Sequence, residues 1–276
     1  MACPAELREL AALSARIGRD PLLTQASSGN TSIKIGGTLW IKGSGKWLAR
    51  ALDDDATFVG VPLGSAFERI AGSSVETATH AVVPQKVVIH VHSVNAISWA
   101  VRADAPQRLA ERLAGIDWQW IPYVASGLPL ARLVEAAIAE RPELRVFILA
   151  NHGLIVSGND CADAESRLEE VERRVAADVR GSGPCDDPVS RRILEGGILY
   201  PCQAMFLGAG TAPFSDPALT VTQRAVLDGL TQVVRRIDES APLRYLSDDE
   251  VDALLGEDLH RYLARAESNA VRAVVP

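Results

Sequence analysis

Val87-Val88-Ile89-His90-Val91-His92 is the stretch on which the fold turns. Its apolar residues are β-branched, which suits a strand buried on at least one face. Strand side chains alternate, so His90 and His92 leave the same face with backbones roughly 7 Å apart. Two imidazoles so placed can converge on one ion. Taken alone, an H-x-H pair is equally explained as a polar doublet on an exposed strand face.

Working outward, Glu76 to Val83 has helix-compatible composition until Pro84 stops it. Phe58 to Val61 reads as a strand. Thr31 to Lys42 reads as a hairpin about Gly36-Gly37, a dipeptide suited to a two-residue turn. Residues 4 to 19 place Leu7, Leu10, Ala11, Ser14 and Ile17 at helical intervals, with Gly18 near the stop. Downstream, Trp118 to Tyr123 and Val146 to Ala150 are further strand-like runs, separated by a predicted helix over Leu130 to Glu140, and His152 follows the second. Interleaved strands and helices by themselves predict an α/β protein with a parallel sheet. From Cys161 to Arg180, Ala164, Leu168, Val171, Val175 and Val179 form one apolar stripe of a surface helix. Gly181 to Pro188 reads as a linker. Beyond it lie Arg191 to Phe214 and two helical runs, Leu219 to Ile237 and Asp248 to Ala266, whose Asp248-Asp249-Glu250 reads as a solvated helix start.

The chain has 276 residues, 47% of them hydrophobic, enough for one sizeable core with a small appended segment. A net charge of −7 without a dense Lys/Arg cluster argues against nucleic acid or anionic lipid as partner. Neither a secretory leader nor an apolar run approaching the roughly 20 residues of a membrane span is present, so the expected location is the cytoplasm. Cys3, Cys161, Cys185 and Cys202 are scattered and are expected to be reduced thiols without catalytic duty.

Three of the five histidines, His90, His92 and His152, fall at or just beyond predicted strands in apolar surroundings. Three neutral imidazoles form a metal site with open positions for substrate. Gly153 lets the chain turn close to it. Glu76, in Ser73-Ser74-Val75-Glu76-Thr77 ahead of a helix, is a carboxylate able to shuttle a proton beside such an ion, or simply a residue favourable at a helix N-terminus. Ser27-Ser28-Gly29-Asn30-Thr31 and Lys42-Gly43-Ser44-Gly45-Lys46 offer hydroxyls, backbone N–H groups and lysine charge to an anion, without matching the Walker pattern. Each is otherwise an ordinary turn.

As an ordered set, SSGNTS (27–32), LWIKGSG (39–45), SSVETATH (73–80), VVIHVH (87–92) and ANHGLIVSG (150–158) resemble the class II aldolase/adducin family, typified by fuculose-1-phosphate and rhamnulose-1-phosphate aldolases. The wording is most similar to the aldolase halves of fused aldolase/short-chain dehydrogenases. The resemblance, which covers about residues 5–180, implies a three-layer α/β/α fold with a mostly antiparallel sheet, assigned to residues 1–182, and a symmetric homo-oligomer, dimer or tetramer; the helical runs beyond it are expected to make residues 183–276 a largely helical C-terminal extension packed on that domain. The resemblance implies one divalent ion per chain, Zn2+, on His90, His92 and His152, with Glu76 as catalytic acid/base. It also implies a phosphorylated sugar held by Gly29, Asn30, Ser44, Gly45, Ser73 and Ser74. Related epimerases carry Asp where this chain has Glu76, which favours cleavage of a ketose 1-phosphate to dihydroxyacetone phosphate and an aldehyde. Relatives that dehydrate or decarboxylate, and non-catalytic adducin-like scaffolds, are the alternatives. The family's interface tyrosine is missing between Ser93 and Ile121. Tyr123 aligns with a structural Pro-Tyr, and His80 is expected to orient a neighbour rather than bind metal.

Overall fold

A computed structural model describes residues 4–274 other than 69, 184, 257 and 258. Helix α1 (Ala5–Arg19) leads into the hairpin of β1 (Asn30–Ile35) and β2 (Thr38–Lys42). Gly36 and Gly37 turn it with φ of 54° and 80°, a left-handed pair that suits glycine. Then come β3 (Phe58–Pro62), α2 (Thr77–Val82), β4 (Val87–Val91), α3 (Val94–Ala100), α4 (Ala105–Arg112), β5 (Trp118–Ile121), α5 (Leu128–Glu140), β6 (Val146–Leu149), β7 (Gly153–Gly158) and α6 (Cys161–Val175). The remaining helices are α7 (Pro188–Glu195), α8 (Pro201–Phe206), α9 (Val221–Arg236), α10 (Asp248–Leu254) and α11 (Leu259–Val274).

The strands form one sheet in the order β3-β2-β1-β4-β7-β6-β5. Only β5 and β6 run parallel. That pair is joined through α5, the segment whose alternation suggested a parallel sheet; the other neighbours are antiparallel, as the family resemblance implied. Alternation along β4 divides its labour. Val87, Ile89 and Val91 enter a core with Leu10 and Leu13 of α1 and Leu168 and Val171 of α6. Val88 joins Phe147, Leu149 and Ile155 on the opposite face, against Leu130 and Val134 of α5. Each such aliphatic side chain contributes about 1.5–3 kcal/mol by leaving water. The result is three layers, α/β/α, with β4 at the centre.

Residues beyond 183 share a core with the first part of the chain. Val94, Ile97 and Val101 pack with Leu199, Tyr200, Val226, Leu230 and Val233. Boundaries differ from expectation in three places. Glycines bracket β7, which periodicity alone does not mark as a strand. The helix expected to reach Arg180 stops at Val175, where Trp99 Nε1 donates to the Val175 carbonyl at 2.8 Å and Arg112 Nη1 to the Arg174 and Ala176 carbonyls at 3.3 Å. The last helical run is split between α10 and α11. Asp248, Asp249 and Glu250 do open α10, through a capping box between Ser247 and Glu250.

Candidate metal centre and cleft

The register of three strands assembles the site. Asn30 stands opposite His90 on β1 and β4, and His90 stands opposite Ile155 on β7. The tight connection from β6 to β7 carries Asn151 and His152, with Asn151 in the left-handed region at φ 50°. His152 therefore comes to the β4 end that carries His90 and His92. The three rings have centroids 4.9 to 5.0 Å apart, and one nitrogen of each lies within 4.8 Å of the others. All three residues are buried.

The imidazoles are chemically ready for a cation. His90 Nδ1 lies 3.2 Å from the Leu154 carbonyl, which only accepts, so that nitrogen carries the proton and Nε2 keeps its lone pair. This Nε2 is buried and has no hydrogen-bond partner among the described residues. His92 Nδ1 lies 3.1 Å from Cys202 Sγ. Burial and neighbouring histidines push His92 well below its ordinary range, and burial pushes His152 down to about 4. Converging and partly unsatisfied imidazoles, with His92 and His152 held below their ordinary range, fit a divalent transition-metal ion.

Glu76 sits against this group, Oε2 3.5 Å from His90 Nε2 and Oε1 3.5 Å from His152 Nε2. Each carboxylate oxygen has one donor: Asn30 Nδ2 at 2.6 Å from Oε2, and Ser126 Oγ at 3.2 Å from Oε1. Burial opposes ionisation, but His90, His152, His80 and the Asn30 amide outweigh it and hold the carboxyl down to about 2. The site thus sets an ionised carboxylate against three converging imidazoles.

A cleft of about 980 Å3 opens over this centre. Gly29, Asn30, Ser44, Gly45, Ser73 and Ser74 all line it together with Glu76, His92 and His152. Gly29 has φ +70°, and a Cβ there would lie 2.8 Å from the His90 carbonyl, so the chain passes over β4 only as glycine. Ser44 N donates to the Gly72 carbonyl at 3.0 Å, which ties the 43–45 and 72–74 loops together. Hydrogen bonds hold three of the side chains in these loops. The Asn30 amide is committed to Glu76, and the lysines are structural ties: Lys42 Nζ donates to the Ser27 and Lys46 carbonyls at 2.5 and 2.9 Å, and Lys46 Nζ meets Asp54 at 2.7 Å. Burial lowers Lys42 to about 7.

His80 lies outside the metal group, its Nδ1 2.7 Å from Ser32 Oγ. Tyr123 stands away from the cleft, under the Arg244 guanidinium at 5.2 Å. Cys161, Cys185 and Cys202 are free thiols, and Cys3 lies outside the described residues. Sequence reasoning did not single out Ser126, Cys202, Tyr262 and Arg265, which all line the cleft. The last two come from α11, which seats on the cleft loops: Tyr262 Oη lies 2.9 Å from Ser27 Oγ, Asn269 Nδ2 donates to the Gly45 carbonyl at 3.1 Å, and Trp47 Nε1 to the Ala266 carbonyl at 3.1 Å. No local pattern announces such distant contributions.

Comparison with known proteins bears on this geometry. The family model described as the class II aldolase and adducin N-terminal domain matches residues 8–178. A curated relative, the uncharacterized oxidoreductase YuxG of Bacillus subtilis (strain 168), is 28% identical over 286 aligned positions, covering 91% of this chain and 38% of the relative. The chain thus spans well under half the length of that relative. Among solved structures, the N-terminal class II aldolase domain of a conserved protein from Thermoplasma acidophilum superposes with a TM-score of 0.54 at 24% identity, covering 63% of this chain and 94% of that one. A sugar-phosphate aldolase from Thermotoga maritima gives a TM-score of 0.52 at 14% identity, covering 62% and 91%.

Proposed function

The chain belongs to the class II aldolase and adducin family, and on that premise we propose that it is a metal-dependent aldolase that reversibly cleaves a ketose 1-phosphate to dihydroxyacetone phosphate and an aldehyde. One observation carries the reading: an ionised Glu76, fixed at both oxygens, lies 3.5 Å from two of the three converging histidines inside a cleft walled by Ser/Gly loops. His90, His92 and His152 hold the divalent ion, Zn2+ in this reading, which when bound supplies Lewis acidity toward the substrate's carbonyl and adjacent hydroxyl oxygens.

The chain's own residues do the rest. The loops at Gly29-Asn30, Ser44-Gly45 and Ser73-Ser74 take the phosphate and fix the sugar's register over the histidines. In cleavage the C3–C4 bond breaks, the C4 hydroxyl loses its proton as the aldehyde forms, and the bonding pair stays on C3. Glu76, a carboxylate at rest, takes up the proton that the C4 hydroxyl releases and delivers it to C3 to give dihydroxyacetone phosphate; in the synthetic direction it withdraws the C3 proton and returns it to the C4 oxygen. Asn30 and Ser126 keep its carboxylate aimed. Residues 1–182 form the catalytic domain in this reading and 183–276 an extension that covers the cleft through α11. The active protein is a homo-oligomer, dimer or tetramer, and works in the cytoplasm.

The test is a metal-replete screen of ketose 1-phosphates, with dihydroxyacetone phosphate followed by a coupled dehydrogenase. Glu76→Gln is expected to lower turnover by about 100-fold or more while one metal stays bound. Near-normal turnover of that variant refutes the role of Glu76. Release of CO2 without an aldehyde points to a decarboxylase instead, and failure to take up any divalent ion points to a scaffold.

A further inference from the structure

We propose that Cys202 is the positioning residue for His92: its sulfur takes up the Nδ1–H of the imidazole and thereby presents the Nε2 lone pair to the metal. The inference rests on the three-histidine metal reading and adds to it a residue from the C-terminal third of the chain.

A neutral imidazole has one protonated nitrogen, and a metal ligand must offer the other. His90 meets this requirement through the Leu154 carbonyl. His92 lies past the end of β4, and the contact at its Nδ1 is Cys202 Sγ, 3.1 Å away. Both side chains are buried, Cys202 at 2% exposure and His92 at 6%, so bulk water does not stand in. A ligating histidine ordinarily donates its second N–H to a fixed acceptor, and that partner sets ring orientation and tautomer.

The sulfur is held where it is needed. Cys202 lies in the first turn of α8, and the turn before it is locked by Gln203, whose Oε1 accepts from Leu199 N at 2.8 Å. Asn151 Nδ2 donates to the Leu199 carbonyl at 2.8 Å. The Leu199–Gln203 segment therefore touches both metal-bearing connections, the one after β4 through Cys202 and the one before β7 through Asn151. A thiol also suits the electrostatics: it adds no second carboxylate to a buried site that already holds Glu76.

The test is competitive Zn2+ titration of the full chain against a chromophoric chelator, with melting of the metal-free protein and the Co2+ visible spectrum as independent readouts. Cys202→Ala is expected to weaken Zn2+ binding by about 10-fold, the lower end of the range for such partners, and to alter the Co2+ bands while the metal-free melting temperature holds. Cys202→Ser, whose hydroxyl oxygen accepts the same N–H, should return affinity toward wild type. Wild-type Zn2+ affinity in Cys202→Ala overturns the proposal. So does an equal loss in both variants accompanied by a fall in metal-free melting temperature, which marks simple packing. A wild-type chain that takes up no Zn2+ overturns the metal reading itself and this one with it.

Discussion

Replacing Asn151 should be among the most costly single changes near the centre. The residue is wholly buried and sits at φ 50°, a region that β-carbons disfavour. Its Nδ2 donates to the Leu199 and Arg244 carbonyls at 2.8 Å each, and its Oδ1 accepts from Arg244 Nη1 at 2.8 Å. Asn151→Ala strips both carbonyls of this donor. Each buried carbonyl left unpaired costs about 1–3 kcal/mol. An alanine held in the left-handed region adds about 1 kcal/mol, since the asparagine's tolerance for it is lost. The sum is about 3–7 kcal/mol, a large share of the roughly 5–15 kcal/mol that stabilises a typical domain. Asn151→Gly loses the same hydrogen bonds without the steric term, so it should be about 1 kcal/mol more stable than the alanine variant. Urea unfolding of the metal-free protein, followed by tryptophan fluorescence, measures both. An Asn151→Ala chain within about 0.5 kcal/mol of wild type, or a glycine variant less stable than the alanine one, refutes the reasoning.

Lys34→Met removes a half-buried ammonium whose Nζ donates to the carbonyls of His80, Val83 and Gln85 at 3.1, 2.6 and 2.8 Å. Burial lowers this lysine only to about 8, so it is charged at neutral pH; the variant should lose about 2–4 kcal/mol in the same urea assay, and unchanged stability shows the carbonyls are satisfied elsewhere. Arg265→Gln removes a cation from the wall of the cleft beside Gly45. Calorimetric affinity for inorganic phosphate should fall by about 5- to 10-fold at low salt and by less at high salt, and a salt-independent or absent effect places the anion elsewhere.

Much of the fold was legible wherever one local rule operated alone. The hairpin at Gly36-Gly37, the strand at 87–91 and the opening helix each obey a single periodicity, and the structure has them there. The parallel arrangement read from alternating elements holds only for β5 and β6, because strand pairing is a long-range choice that periodicity does not encode. The end of α6 was illegible for a similar reason: Trp99 and Arg112, distant in sequence, satisfy its last carbonyls. At the site, His90, His92 and His152 could be picked out because rare imidazoles stood in or just beyond apolar runs, and Glu76 because it stood in a Ser-rich segment ahead of a helix. Ser126 and Cys202 could not, since a serine in a loop and a cysteine in a short helix have no pattern until the chain brings them within reach of Glu76 and His92.

The alternation along β4 also bears on how this protein can change. One strand gives Val87, Ile89 and Val91 to the hydrophobic interior and His90, with His92 just past its end, to the three-histidine group, so both sets share a single reading frame of side-chain direction. Exchange among aliphatics at 87, 89 and 91 should be tolerated in a saturation library. Inserting or deleting one residue upstream within the strand instead swaps the faces, driving imidazoles beneath α6 and aliphatics into the cleft. Such a lineage loses foldability and chemistry at one stroke, which leaves few viable intermediates in which the scaffold drifts in register while its histidines stay in place.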